Sequence, residues 1–158
     1  MSDEYIRRLR QVRTELDATR FSLSLALRTW HTVIVQSAVI STSDRPVARK
    51  DLESAAGRLE NTYFVRLSAE FEGILKDHLT TNHPAIRLPN DAKVDWLVAR
   101  VRRAEKLRLP AVLLFNLSQV RAYRNAIAHR GIAAVPVLFD EALRYYNFFL
   151  ARLPDPVR

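Results

Sequence analysis

Arg124-Asn125-Ala126-Ile127-Ala128-His129, followed by Arg130-Gly131, sets a permanent cation, an amide and an imidazole along about one and a half helical turns. These groups suit work on a phosphodiester. Metal-independent RNA cleavage needs a base for the 2′-hydroxyl proton, an acid for the 5′-oxygen, and cations for the charge that builds on phosphorus. An imidazole, with an ordinary pKa near 6.5, serves either proton role at neutral pH. An arginine supplies a bidentate phosphate clamp. On a helix, positions 121, 125 and 129 form one ridge, so Arg121, Asn125 and His129 stack, while the five-residue step from Arg124 to His129 turns by about 140°. Loosening near Gly131, or a second chain, would bring the two together. The motif holds one histidine where the chemistry asks for two proton-transfer groups, so a homodimer apposing two motif helices is a requirement of this reading.

The elements that must hold these residues read as helices. Three glycines in 158 residues, with prolines at segment edges (Pro46, Pro84, Pro89, Pro110, Pro136, Pro154, Pro156), are the punctuation of a chain built from long helices. A first helix is expected from Ser2 or Asp3 to about Ile40, with Ile6, Leu9, Val12, Leu16, Leu23 and Leu27 on its apolar stripe. Thr32-Val-Ile-Val is read as its buried end, because a lone strand has no sheet to join. Ser41 to Pro46 is a loop. A second helix is expected over Asp51–Leu79, ended by the Thr80–Pro89 stretch, and a third is capped by Asn90 or Asp91. The fourth takes Pro110 in its first turn, carries the motif and stops at Gly131. The fifth spans Val137–Leu150. The expectation is one all-α domain over residues 1–158, four-helix-bundle-like with an additional helix.

Composition bounds the partners. A hydrophobic share of 48% beside 27% charged residues belongs to a folded globular chain and excludes wholesale disorder. A net charge of +8 points to an anionic partner such as RNA, an acidic protein or a membrane surface. The absence of cysteine excludes disulfides and thiolate metal sites and suits a reducing cytosol. The first residues show no signal-peptide core, and Thr32 to Ile40 is far shorter than the roughly 20 residues of a membrane span, so a cytoplasmic protein without membrane attachment is expected.

The run Arg124-Asn125-Ala126-Ile127-Ala128-His129, late in a small helical chain, resembles the R-x4-6-H motif of HEPN domains in its R-N-x-x-A-H form. The resemblance covers residues 51–150. It implies a helical bundle that dimerises across the motif, and a metal-independent endoribonuclease of the toxin–antitoxin or phage-defence kind, held in check by an antitoxin or regulatory protein. By that resemblance Arg124 and His129 are the catalytic pair, and Asn125 is the amide that often follows the arginine and positions His129 or the phosphate. An acidic residue of an earlier helix orients the arginine: Glu72 first, Glu70 second, in Ser68-Ala-Glu-Phe-Glu-Gly. The two glutamates differ by about 200° on a helix, so only one can face the motif. The tyrosine that follows the histidine in some such toxins is replaced here by Arg130-Gly131-Ile132, and Tyr145 and Tyr146 lie far along the chain.

Arg121, Arg130, Arg100 and Arg103 are the expected RNA-phosphate contacts, with Arg102, Lys106 and Arg108 on the same basic stretch. No aromatic residues interleave them to stack bases. His78 and His83 are spaced by five across a helix end, outside any HExxH or cysteine pattern, so neither a metal nor a cofactor is expected. His31 reads as a core or boundary residue. No Gly-rich phosphate loop or nucleophile elbow occurs, and no helix-turn-helix spacing supports DNA binding. The competing reading is a catalytically silent helical interaction module whose basic surface engages an acidic protein or nucleic acid.

Overall fold

A computed structural model describes residues 2–30, 44–129 and 134–154. Those residues are all-α: α1 (Ser2–Arg28), α2 (Arg45–Asn82), α3 (Val94–Ala104), α4 (Ala111–His129) and α5 (Phe139–Leu150). No helix among them is long and apolar enough to cross a membrane. The expected continuation of the first helix to Ile40, the Thr32 cluster, His31, Arg130 and the Gly131 stop lie outside the described residues.

Helix ends differ from the sequence expectation for local reasons. α2 begins six residues early, because Ala48 N–H already donates to Asp44 C=O at 2.9 Å and Pro46 sits in the first turn, where a missing N–H costs nothing. Asn90 and Asp91 do not cap α3. They lie in a turn closed by Ala92 N–H to Pro89 C=O at 3.1 Å, and the cap position is Lys93, whose side chain makes no capping bond. Pro110 precedes α4 and lends its carbonyl to Leu113 and Leu114. α5 starts two residues late, its entry fixed by Leu138 N–H donating to the Glu141 carboxylate at 3.2 Å.

The described chain clusters into two compact units, and α1 and α2 contribute to both. One unit is residues 12–63. Val12 and Leu16 are buried in it, Thr19 and Tyr63 share a hydroxyl hydrogen bond at 2.9 Å, and Arg20 faces Glu60. The other, residues 1–11 with 64–158, contains the motif. Its core takes Phe64, Leu67, Phe71, Ile74 and Leu75 from α2, and Leu113, Leu117 and Val120 from α4 at i, i+4 and i+7. Phe71 stacks on Tyr146 of α5 at 4.0 Å and meets Phe149 edge-on, while Phe64 meets Tyr123 of α4 edge-on at 5.0 Å. These aromatic contacts lock α2 against α4 and α5, and so fix the register of the motif helix.

The Tyr146 hydroxyl donates to Ser68 Oγ at 3.0 Å, and Ser68 donates to Phe64 C=O at 3.1 Å. Burial pushes the Tyr146 phenol well above its ordinary range. The folded chain therefore keeps this proton to higher pH than the unfolded chain. The resulting stability is complete below about pH 10 and is lost as pH rises towards the folded value. Tyr146→Phe is expected to lower stability by about 1 kcal/mol at neutral pH and to remove this alkaline loss. Denaturant titrations at neutral and alkaline pH measure both.

Candidate active site

α4 is regular through His129, yet Arg121, Arg124, Asn125 and His129 all line one cavity of about 440 Å³. That volume falls in the 300–1,000 Å³ range of ligand pockets. The opposing walls are Glu72 and Lys76 of α2 and the segment Asn90–Val94 that leads into α3. The 140° turn between Arg124 and His129 is bridged by the length of the arginine side chain and by walls on both flanks of the ridge.

Arg124 is held from two sides. Its Nη1 donates to Asn125 Oδ1 at 3.1 Å, and its Nη2 lies 3.9 Å from Glu72 Oε1. Its Nε is buried with no hydrogen-bond partner. The guanidinium thus commits one Nη1 proton to a neutral amide at hydrogen-bonding distance, and its other Nη protons suit an anion. The amide group of Asn125 remains to donate while its oxygen holds the arginine. His129 ends α4 and is exposed.

Glu70 faces elsewhere. Arg8 of α1 takes it through Nε at 2.6 Å and reaches Asp77 through Nη1 at 2.7 Å, clipping α1 to α2. Of the two glutamates, Glu72 is therefore the one that reaches the motif. Arg121 pairs with Asp95 in the first turn of α3, which partly offsets its charge and ties α4 to α3. Arg100 and Arg103 line neither this cavity nor its neighbour, and the Nε of Arg100 is buried without a partner. Arg102 lines that neighbour, a cavity of about 270 Å³ that shares Glu72, Val94, Arg121 and Arg124 with the first and is otherwise lined by Phe71, Leu114, Leu117, Tyr146 and other residues.

Sequence reasoning missed several wall residues. Lys76 was accessible to it, since it stands one turn beyond Glu72 on the same face of α2. Lys93 and Asp91 reach the cavity through a turn that no periodicity foretells. Tyr146, twenty-two residues beyond Arg124, lies close enough for the charges of Glu72 and Arg124 to act on its phenol. It is buried all the same, with its hydroxyl engaged by Ser68.

The cavity is electropositive in balance: Lys76, Lys93, Arg121 and Arg124 stand against Glu72 and Asp91, with Asp95 paired to Arg121 beside it. The N-terminus of α3, uncapped by any side chain, adds its partial positive charge at Lys93 and Val94. A phosphate group matches this field, and two imidazole nitrogens at the rim could exchange protons with it. No family model, curated protein or solved structure matches this chain.

Proposed function

We propose that this chain is a HEPN-type, metal-independent endoribonuclease that acts as a homodimer, in the manner of a toxin or phage-defence effector restrained by a regulatory partner. The observation that carries the reading is the convergence of Arg124, Asn125, His129 and Glu72 on one cationic cavity. Arg124, braced by Glu72 and Asn125, neutralises the phosphate as negative charge grows on its oxygens. One His129 imidazole accepts the 2′-hydroxyl proton while the 2′-oxygen bonds to phosphorus. The P–O5′ bond breaks, and the partner subunit's His129, protonated beforehand, gives its proton to the departing oxygen. The products are a 2′,3′-cyclic phosphate and a 5′-hydroxyl.

The exposed ridge of α4 supports the pairing. Phe115, Ser118, Ala122 and His129 recur at intervals of three, four and seven and are all exposed. Ser118 and Ala122 are small enough to admit a second helix closely, and Phe115, 61% exposed, would be covered by it. A two-fold axis running along α4 would set two His129 side chains at one end of that seam.

The test is incubation of the purified chain with single-stranded RNA in EDTA, with circular dichroism in the same buffer to show that the helices persist. Fragments ending in 2′,3′-cyclic phosphate are the expected products. Intact RNA from a folded dimer would leave the chain as a silent interaction module.

A further inference from the structure

We propose that His78, His83 and Glu105 form a binding site for a divalent transition-metal ion, with zinc the best match, independent of the ribonuclease reading. The spacing of His78 and His83 is wrong for one helix face, but α2 ends at Asn82 and the chain turns there. His83 is anchored by its own N–H to Leu79 C=O at 2.9 Å and swings back beside His78. The two rings lie 6.2 Å apart between centroids. Glu105, at the C-terminal cap of α3, completes the group. Its Oε1 accepts from His78 Nε2 at 2.7 Å and from His83 Nε2 at 2.6 Å, and the three ligand atoms lie within 4.8 Å of one another.

Two neutral imidazoles and a carboxylate are a ligand set for tetrahedral zinc, with a fourth position for water. Magnesium and calcium require more oxygen ligands than this cluster supplies. Zinc bonds of about 2.0–2.2 Å set tetrahedral ligand atoms about 3.3 Å apart, so the imidazoles must withdraw from Glu105 by roughly 0.6 Å. His83, 27% exposed, is the more accessible of the two rings.

An outer partner is also in place. Asn82 Nδ2 donates to His78 Nδ1 at 3.1 Å. Rotating that amide by half a turn presents its oxygen instead, which holds the other tautomer of His78, with the proton on Nδ1 and Nε2 free to ligate. The Nε2 proton of His78 thus moves to its Nδ1, His83 exchanges its Nε2 proton for one on Nδ1 in the same way, and none is lost. His78 itself is 1% exposed and edge-on to Tyr5 of α1, so its ring is oriented before any ion arrives. A half-buried carboxylate shared by two imidazoles contributes little net stability by itself, because desolvation offsets the attraction. A bound dication reverses that balance and ties the end of α2 to the end of α3.

The experiment is titration of the metal-stripped full chain with Zn²⁺ against a chromophoric chelator, with Co²⁺ absorption in the visible as the geometric readout. Expected are one equivalent bound with Kd below about 1 μM, intense tetrahedral Co²⁺ bands and a higher melting midpoint. His83→Ala, at the exposed edge of the cluster, and Glu105→Gln are each expected to weaken binding by at least about 100-fold while circular dichroism stays helical. His78→Ala removes a buried ring, so the two milder variants decide the matter if it fails to fold. Wild-type binding no tighter than that of His83→Ala, or octahedral Co²⁺ spectra alone, would overturn the proposal.

Discussion

His129→Ala is expected to lower RNA cleavage by about 10²–10⁴-fold, the range that positioned proton transfer contributes, with little change in thermal stability. The stability half of this expectation follows from position: His129 is exposed at the last residue of α4, and the packing of that helix rests on Leu113, Leu117 and Val120. The catalytic half follows from composition. Among the cavity walls, His129 is the one side chain whose ordinary pKa lies near neutrality, the others being carboxylates, lysines, arginines, amides and apolar groups. Single-turnover cleavage with labelled RNA, beside a melting curve, measures both. A variant that cuts at the wild-type rate would assign the proton transfer elsewhere.

Arg124→Ala is the second large effect. Loss of the guanidinium removes the charge that meets the phosphate and is expected to cost about 10²–10³-fold in the rate of cleavage. It also leaves Glu72 facing the cavity without its cation, which weakens RNA binding further by repulsion. Arg124→Lys separates charge from geometry. It restores a positive group but not the planar fork that Asn125 and Glu72 hold in place, so only partial recovery is expected. Full recovery by lysine would show that charge alone is used.

The helices were legible because their apolar residues recur at 3.6-residue intervals and the prolines fall between them. Their ends were less so, since competition among turn, cap and helix is decided by a few local bonds. The Asp44 carbonyl already accepts a bond from Ala48 at the entry to α2, and the turn at Pro89 withdraws Asn90 and Asp91 from capping duty. Within the site, the chain itself stated that Glu70 and Glu72 point apart. Which of them reaches Arg124 is set by the packing of α2 against α4 and α5 through Phe64 and Phe71, which leaves Glu70 to Arg8, sixty-two residues before it, and no local pattern encodes that. Helical spacing alone sets His78 and His83 on different faces, so their meeting is not legible in the sequence. It arises because the helix stops between them and because Glu105, distant in sequence, is brought to both.

A site completed by two subunits has a measurable signature in mixtures. When wild-type chain is held constant and His129→Ala chain is added with time for subunit exchange, cleavage per wild-type subunit is expected to fall with the wild-type fraction, to about half at an equal mixture. Cleavage per wild-type subunit that stays constant across the titration would show that each subunit works alone.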